Sequence, residues 1–228
     1  MRQNYIIPRP LLVSFSGIDG AGKSTQIASL CARLRDAGLQ TEIIAFWNDV
    51  ARLRRVREGA GFWLFKGDRG VGSPEAPVQR RDKNVRSPLM TAIRLGIYLL
   101  DALSLRRIER RSRHSAARVV IFDRYLYDEL ANLSLRNPVT RTCVHGIMRL
   151  APRPDISFLL DADPGAARAR KPEYPVAFLC LCRDSYLRLS DALGGFTVIP
   201  SSPIQEVAEQ VAACVLPRIF PRSLGAAA

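Results

Sequence analysis

The stretch G-I-D-G-A-G-K-S, Gly17–Ser24, decides how this chain folds. It follows the apolar run Leu11–Phe15, which predicts a buried strand, and it opens the run 24–37, which has the apolar periodicity of a helix. Glycines at this spacing allow consecutive backbone N–H groups to point at one phosphate chain, and the helix start adds the positive end of its dipole. The pattern G-x-x-x-x-G-K-[ST] between a strand and a helix therefore predicts a polyphosphate-binding loop.

The loop also supplies side chains suited to a nucleoside triphosphate and its metal ion. Lys23 offers a mobile positive charge to the outer phosphates, and Ser24 offers a hydroxyl to Mg²⁺. A glycine-rich turn with an incidental lysine is the alternative, and the strand and helix on either side argue against it. The residues predicted to contact ATP here are Gly17, Ile18, Asp19, Gly20, Ala21, Gly22, Lys23, Ser24 and Thr25.

A second apolar run, Val119–Phe122, leads directly into Asp123 and Arg124. In an open parallel sheet, ligands bind at the carboxyl ends of the strands, beside the phosphate loop. Asp123 is therefore predicted to hold Mg²⁺ through a bound water, and the planar fork of Arg124 to bind an acceptor phosphate. A strand-end salt bridge is the alternative, and the phosphate loop favours the functional interpretation. Asp128 and Glu129 either face the acceptor or form a solvated helix start.

Short apolar runs alternate with longer helical patterns, which is typical of an α/β fold with a parallel sheet flanked by helices. The predicted strands are 11–15, 41–46, 119–122, 156–160 and 196–199. A long helix is predicted at 88–113, with an apolar face formed by Leu89, Ile93, Ile97, Leu100 and Leu103. A short basic helix is predicted from a cap at Asn48 or Asp49 through Arg57.

The chain is predicted to form one domain over residues 1–228. Residues 59–87 combine glycines, prolines and charges without a clear period, which indicates a loop or mobile insertion. A disordered tail is predicted at 223–228. No apolar run is expected to cross a bilayer, because Arg, Asp or Gly interrupts each one within about a dozen residues.

The chain carries a net charge of +13 and has a pI of about 10.3. Such a charge suggests nucleic acid or an anionic membrane as a partner. However, only four of its 34 basic residues are lysines, and the arginines are spread from Arg2 to Arg222. An arginine bias of this kind often reflects codon preference, so neither nucleic acid nor a membrane is the expected partner.

The cysteines indicate the cellular compartment in which the protein is found. Their number is five, and they lack the paired C-x-x-C spacing of a zinc site, so we interpret them as reduced structural thiols. The apolar run that follows the first ten residues is too short for the core of a signal peptide. Both observations predict a cytoplasmic protein.

Four segments together resemble the thymidylate kinase family. F-S-G-I-D-G-A-G-K-S-T is similar to the opening of that family, and F-D-R-Y at Phe122–Tyr125 is similar to its D-R-Y/H element. L-L-D-A-D-P-G-A-A-R-A-R at Leu159–Arg170 is similar to the strand and helix that lead into its lid. R-D-S-Y-L-R-L at Arg183–Leu189 is similar to its R-x-x-Y-L element after the lid. The segments occur in the family's order over about 175 residues.

The resemblance implies a P-loop NTPase fold of three layers, built on a five-stranded parallel sheet. It further implies MgATP-dependent phosphorylation of a nucleoside monophosphate, with dTMP to dTDP as the first candidate reaction. A homodimer built on the long helices is also typical of the family. The residues that would carry catalysis are Lys23, Asp123, Arg124 and Arg170.

The family pattern assigns further roles to single residues. Asp19 would accept from the acceptor's 3′-hydroxyl, Arg124 would bind its phosphate, and Tyr125 would pack beside its sugar. Arg170 corresponds to the arginine over the adenine, at the start of a short lid at 170–176. Arg183 corresponds to the arginine that returns towards the phosphates. Some members carry a loop arginine where this chain has glycine at position 20, so here the lid would supply that cation.

The acceptor half departs from the family pattern, which leaves alternatives open. No arginine follows the second strand at the family's position, so Arg52 is a displaced candidate, and Arg94 and Arg106 are both candidates for reading the thymine. A related kinase of the D-R-Y-x-x-D/H-x-L type could act on another nucleotide or a sugar-type metabolite. A nucleotide-binding regulatory or nucleic-acid-associated protein is the third hypothesis, suggested by the charge of +13.

Overall fold

The computed structural model describes residues 9–51 and 88–220. Five parallel strands form one sheet in the order β2-β3-β1-β4-β5. The strands are β1 (Leu11–Ser16), β2 (Thr41–Ala45), β3 (Val119–Asp123), β4 (Ile156–Asp161) and β5 (Phe196–Pro200). The three central strands are buried along nearly their whole length, which explains why their sequences are continuous apolar runs rather than alternating ones.

Helices cover both faces of this sheet. They are α1 (Lys23–Asp36), α2 (Pro88–Ser112), α3 (Leu126–Leu130), α4 (Pro138–Leu150), α5 (Pro164–Arg170), α6 (Val176–Leu193) and α7 (Ile204–Ile219). The helices α1 and α7 pack together over a hydrophobic cluster that includes Phe15 and Phe158. A second cluster, which includes Phe122, lies beneath α2, α4 and α6. The three-layer α/β fold with a five-stranded parallel sheet is thus confirmed.

The chain changes sides of the sheet at β1. It runs from β1 out to β2, returns through β3 beside β1, and then crosses to β4 on the other side. A crevice forms at the carboxyl ends of the strands where the strand order reverses in this way. The register pairs Phe15 with Asp123 and Ser16 with Leu159, so the loop that starts at Gly17 emerges between β3 and β4.

The side of α2 that meets the core differs from the predicted one. Of the five residues predicted to form its apolar face, Ile97 is buried, whereas Leu89, Ile93, Leu100 and Leu103 are 38–69% exposed. The buried residues are instead Met90, Ile97, Tyr98, Asp101, Ala102, Ser104, Leu105 and Ser112. Because α2 carries apolar residues on two sides, the period of the pattern could not tell which side faces inwards.

By length and composition α2 is apolar enough to cross a membrane, with a mean hydropathy of 1.4 in an 18-residue stretch that is 39% buried. This corrects the expectation that no apolar run reaches such a length. Helices in the cores of soluble proteins meet the same criterion, and the described part of the chain packs α2 against α4.

The predicted basic helix after β2 also differs. A short π-helical turn, Phe46–Val50, begins before the predicted cap. The carboxylate of Asp49 accepts a 2.8 Å hydrogen bond from the Ala45 N–H, so it binds the backbone that precedes the turn. The rest of that helix lies outside the described residues, and so do Arg52, the predicted insertion at 59–87 and the predicted tail at 223–228. The single-domain organisation stays a prediction.

Candidate active site

Three glycines shape the loop that follows β1. Gly17, Gly20 and Gly22 have φ angles of 144°, 80° and 88°, a region that is costly for any residue with a Cβ. Gly22 directly precedes α1, whose first turn carries no acidic side chain. The unpaired N–H groups at the start of this 14-residue helix and its positive dipole end are therefore available to a phosphate.

Gly20 brings the loop into direct contact with α5. A Cβ at this position would lie 2.2 Å from the carbonyl oxygen of Ala167, far inside the contact distance. Arg170, the last residue of α5, donates from Nε a 2.9 Å hydrogen bond to the Gly20 carbonyl oxygen. The loop thus has no room for an arginine at position 20, and a cation from the predicted lid is bonded to its backbone.

Lys23 lies folded back over the loop. Its Nζ donates 2.8 Å hydrogen bonds to the carbonyl oxygens of Gly17 and Ile18, and the side chain is buried. Burial lowers the pKa of Lys23 to about 8, and the positive charge of Arg124 lowers it further, while nearby carboxylates, Asp128 first among them, oppose the shift. The ammonium group is therefore close to the point where it can lose its charge.

Ser24 and Asp123 provide oxygen atoms beside the loop that could act as ligands of a metal ion. Ser24 is exposed as the second residue of α1, and Asp123 is half-buried at the carboxyl end of β3. Mg²⁺ prefers a few protein oxygens together with substrate phosphates and waters, so this pair fits the ion. Within residues 9–51 and 88–220 no group of three or more His, Cys, Asp or Glu side chains could hold a metal alone, and a nucleotide-bound Mg²⁺ does not need one.

Arg124 occupies the turn between β3 and α3 with a φ of 70°, which is unusual for a residue other than glycine. Its guanidinium forms a short ion pair with Asp19 of the phosphate loop, and a second nitrogen lies 3.6 Å from Asp128. Burial lowers the pKa of Arg124, but the charges of Asp19 and Asp128 raise it by more, so the arginine stays protonated. An anion-binding fork thus stands directly beside the loop.

The comparisons with known proteins agree on one family. No protein-family model matches the chain. The chain is 34% identical to a probable thymidylate kinase of Pyrobaculum aerophilum, over 88% of this chain and 93% of that protein. The chain belongs to the thymidylate kinase family. It is also 25% identical to a probable thymidylate kinase of Archaeoglobus fulgidus, over 88% and 92% of the two chains. With a thymidylate kinase of Ruegeria pomeroyi the identity is 32%, over 70% of this chain and 68% of the relative.

Membership of the thymidylate kinase family makes the chain a phosphotransferase of the nucleoside monophosphate kinase type. The residues predicted for the donor side come together in the structure. The glycine loop, Lys23, Ser24 and Asp123 all lie at the carboxyl edge of the central strands. On the acceptor side, Asp19 and Arg124 are in contact.

Tyr125 does not occupy the position predicted from the thymidylate kinase family. Its side chain is fully buried, and its hydroxyl donates a short hydrogen bond to the Pro152 carbonyl oxygen. Its ring packs against the rings of Phe122 and Tyr127, and burial raises the pKa of Tyr125 well above its usual value. A ring enclosed in this way cannot pack beside an acceptor sugar, so the predicted contact is wrong for this arrangement.

Arg183 is held at the carboxyl end of β4. Its Nε and Nη2 donate to the two carboxylate oxygens of Asp161 at 2.5 and 2.8 Å. This bidentate pair raises the pKa of Arg183. The side chain is 39% exposed and lines the same crevice as Gly17. The predicted role at the phosphates therefore stays a prediction, and it requires the pair with Asp161 to open or to be shared.

Contacts within the short lid at 170–176 and with the end of α5 hold the lid in place. Arg168 donates from Nη1 to the Tyr174 carbonyl oxygen at 3.0 Å, and Lys171 lies 3.2 Å from the carboxylate of Glu173. Because α6 begins at Val176, only five residues connect it to α5. Such a short segment leaves Arg170 little freedom to move away from the loop.

The two arginines considered for reading the base occupy different ends of α2. The helix α2 connects two parallel strands and contacts the turn Phe46–Val50 at the carboxyl end of β2. We therefore infer that its first turns lie towards the carboxyl ends of the strands and its last turns, which lead into β3, towards the amino ends. Arg94 is half-buried in the second turn, whereas Arg106 is exposed and about 18 Å further along the axis. The geometry therefore favours Arg94 over Arg106.

The sequence left the roles of Asp128 and Glu129 open and gave no role to the side chain of Asp161. Asp128 and Glu129 are both buried, at 6% and 7% exposed, so α3 does not begin as a solvated helix end. The spacing of four residues between Arg124 and Asp128 could have indicated their contact. Asp161 pairs with Arg183 across 22 residues, and no sequence pattern carries that information.

Proposed function

We propose that this chain transfers the γ-phosphoryl group of ATP to dTMP, which yields dTDP and ADP. The observation that carries the proposal is the pairing of Arg124 with Asp19: an arginine fork and a loop carboxylate sit together beside a phosphate loop. Relatives named thymidylate kinase at 25–34% identity support the choice of acceptor. They do not favour a sugar-type acceptor or a nucleic-acid-associated role.

On the donor side, the loop amides and the start of α1 bind the β- and γ-phosphates of ATP. Lys23 leaves the carbonyl oxygens of Gly17 and Ile18 and follows the charge on the γ-phosphoryl group. Ser24 and Asp123 would hold Mg²⁺ with the phosphates, where the ion neutralises charge. Arg170, already bonded to the loop at Gly20, adds a cation from the lid.

On the acceptor side, the phosphate of dTMP binds the fork of Arg124 and displaces Asp19. Asp19 can then accept a hydrogen bond from the sugar hydroxyl. An oxygen of the dTMP phosphate attacks the γ-phosphorus, and the bond from that phosphorus to the β-bridging oxygen breaks, which releases ADP. Positioning and charge neutralisation are the main contributions of the protein to such a reaction.

The test is a transfer assay with ATP and a panel of nucleoside monophosphates, with ADP release as the readout. We expect dTMP to be the preferred acceptor. We expect Lys23→Ala to lower kcat at least about 100-fold while the protein stays folded, because a removed oxyanion-binding group typically costs that much. Arg33→Ala is the matched control, since it removes an exposed positive charge from the far end of the same helix. Near-normal turnover of Lys23→Ala would refute the mechanism, and absence of transfer to dTMP would refute the acceptor.

We also propose that two copies pair through α2. Its exposed residues Leu89, Ile93, Gly96, Leu100 and Leu103 follow one another at alternating steps of four and three residues. This spacing forms a straight stripe along a helix and suits packing against a second helix. Gly96 has open space around it, so the two backbones can approach closely there. Covering the stripe also accounts for apolar side chains that the described residues leave in water.

The dimer is tested by light scattering after size-exclusion chromatography. Leu100→Glu places a charge in the middle of the stripe and should give a monomer, whereas Ile204→Glu, at an exposed position on the opposite face of the sheet, should leave the mass unchanged. A wild-type monomer at micromolar concentration would refute the pairing.

We assign this activity to the cytoplasm, where ATP is available. The five cysteines all lie among the described residues, and none of them forms a disulfide there. Free thiols are typical of a reducing compartment. Fractionation with an antibody against the chain would test the location.

A further inference from the structure

A buried carboxylate behind the acceptor site connects three elements of the fold. Oδ2 of Asp128 accepts hydrogen bonds from the Ser16 hydroxyl at 2.7 Å and from the Tyr125 N–H at 3.0 Å. Oδ1 accepts from the Tyr186 hydroxyl at 2.7 Å and lies 3.6 Å from Nη1 of Arg124. The side chain is only 4% exposed. Its orientation is therefore fixed by donors from β1, from the residue that precedes α3, and from α6.

Arg124 needs such a fixed partner because its own backbone is unfavourable. A φ of 70° costs a residue with a Cβ roughly 1–2 kcal/mol, so contacts of the side chain must help to hold the turn. The guanidinium is shared between two carboxylates: one nitrogen pairs with Asp19 in the phosphate loop, and the other faces Asp128. Of these two, Asp19 is 18% exposed and Asp128 is 4% exposed.

This difference separates the roles of the two carboxylates. A phosphate that enters the crevice can reach the part of the guanidinium now bonded to Asp19, because that pair borders solvent. It cannot displace Asp128, which is enclosed by Ser16 and Tyr186. We infer that Asp128 is a positioning residue for Arg124, which keeps the guanidinium turned towards the crevice while the acceptor phosphate replaces Asp19. This inference rests on the proposed phosphoryl transfer to a monophosphate.

The main test is Asp128→Asn, which keeps the size of the side chain and one acceptor oxygen, replaces the other oxygen by an NH2 donor, and removes the charge. Asp19 then keeps a stronger hold on the guanidinium, and the acceptor must compete with it. We expect the KM for dTMP to rise about tenfold or more, while the KM for ATP stays within about twofold. A purely structural role would lower Tm without separating the two KM values.

Asp155→Asn is the matched control at the other end of β1. The Asp155 carboxylate accepts the Leu12 N–H at 2.9 Å and pairs with Arg9 at 2.6 Å, so it also binds a backbone amide and an arginine. We expect both KM values of this variant to stay within about twofold of the wild type. If Asp128→Asn does not fold, Tyr186→Phe decides instead, because it removes one donor from Oδ1 and keeps the charge. It should raise the KM for dTMP about threefold, and an unchanged value would overturn the inference.

A readout without any acceptor separates this inference from the proposed function. Crystal structures of the ligand-free wild type and Asp128→Asn report the position of Arg124 directly. We expect Nη1 of the variant's guanidinium to turn away from position 128 by about 1 Å or more, while Nη2 stays bonded to Asp19. An unmoved guanidinium, or equal changes of the two KM values, would overturn the positioning role. If the wild type does not phosphorylate dTMP, the proposed function fails and the crystal structures still decide the role of Asp128.

Discussion

The contact between the phosphate loop and α5 makes a quantitative prediction for Gly20→Ala. The new Cβ would lie 2.2 Å from the Ala167 carbonyl oxygen and 2.9 Å from its carbon, both of which belong to backbone. The loop or α5 must therefore move by roughly 1 Å to restore contact distance. The φ of 80° adds strain of roughly 1–2 kcal/mol, and overpacking of this kind typically adds about 1–3 kcal/mol.

Together these terms lower the free energy of unfolding by roughly 2–5 kcal/mol, which corresponds to a Tm lower by about 4–20 °C for a chain of this size. Displacement of α5 also breaks the hydrogen bond from Arg170 to the Gly20 carbonyl oxygen. We therefore expect kcat/KM for ATP to fall at least about tenfold, since a small misplacement of a positioned group can cost that much or more.

Gly38→Ala is the control for backbone strain alone. Gly38 has a φ of 74° and no atom within 4 Å of the position of an added Cβ, and it lies beyond the end of α1, away from the phosphate loop. Its Tm should fall by only about 2–8 °C, and its kinetics should not change. Scanning calorimetry and a coupled ADP-release assay measure both effects. If the two variants lose equal stability and Gly20→Ala keeps its kcat/KM for ATP, α5 does not lie against the loop as described.

Two further predictions concern single side chains. Because the pKa of Lys23 is lowered to about 8, kcat/KM for ATP should fall about tenfold per pH unit above pH 8 as the ammonium group loses its proton. Lys23→Arg keeps its charge, so its kcat/KM for ATP should not depend on pH above pH 8. If kcat/KM of this variant still falls as in the wild type, a group other than Lys23 is responsible for the loss. Tyr125→Phe leaves the Pro152 carbonyl oxygen without its donor and should cost about 1–2 kcal/mol in unfolding experiments. The KM of Tyr125→Phe for dTMP should stay within about twofold of the wild-type value. A clear rise would show that Tyr125 contacts the acceptor after all.

The sequence predicted the donor side well because its signals are local. The loop, the strand before it and the helix after it are contiguous, and each carries its own pattern. Asp123 could be placed as well, since the end of an apolar strand in a parallel sheet points to one edge. These inferences need only the order of the strands and helices along the chain and the edge of the sheet at which the strands end.

The acceptor side was predicted less well because it depends on three-dimensional packing. Arg124 and Tyr125 are neighbours in sequence, but the positive φ of Arg124 turns the chain so that the arginine faces the crevice and the tyrosine enters the core. The pair of Arg183 and Asp161 joins a helix to a strand end, and no local pattern records such a contact. Asp128 was visible only as a residue four positions after Arg124, which is equally compatible with a solvated helix.

The prediction of which face of α2 is buried was wrong for a different reason. Its apolar residues fall on two sides of the helix, and the sequence describes both sides equally well. Only the position of the sheet and of α4 decides that Tyr98 and Leu105 are covered while Leu100 and Leu103 are not. The physical cause is that packing partners, rather than helix periodicity, select the inner side.

The position of Lys23 in the structure affects which nucleotides can bind to the phosphate loop. Its ammonium group is already bonded to the carbonyl oxygens of Gly17 and Ile18, so an arriving nucleotide must compensate for the loss of two charge-assisted hydrogen bonds. A diphosphate or triphosphate brings several anionic oxygens and can do so, whereas a monophosphate brings a single group. We therefore expect the lysine to set a threshold on phosphate-chain length, so that a monophosphate substrate does not occupy the place of the donor. Competition of AMP, ADP and ATP for the loop should follow that order of increasing strength, and equal competition by AMP would show that the threshold does not exist.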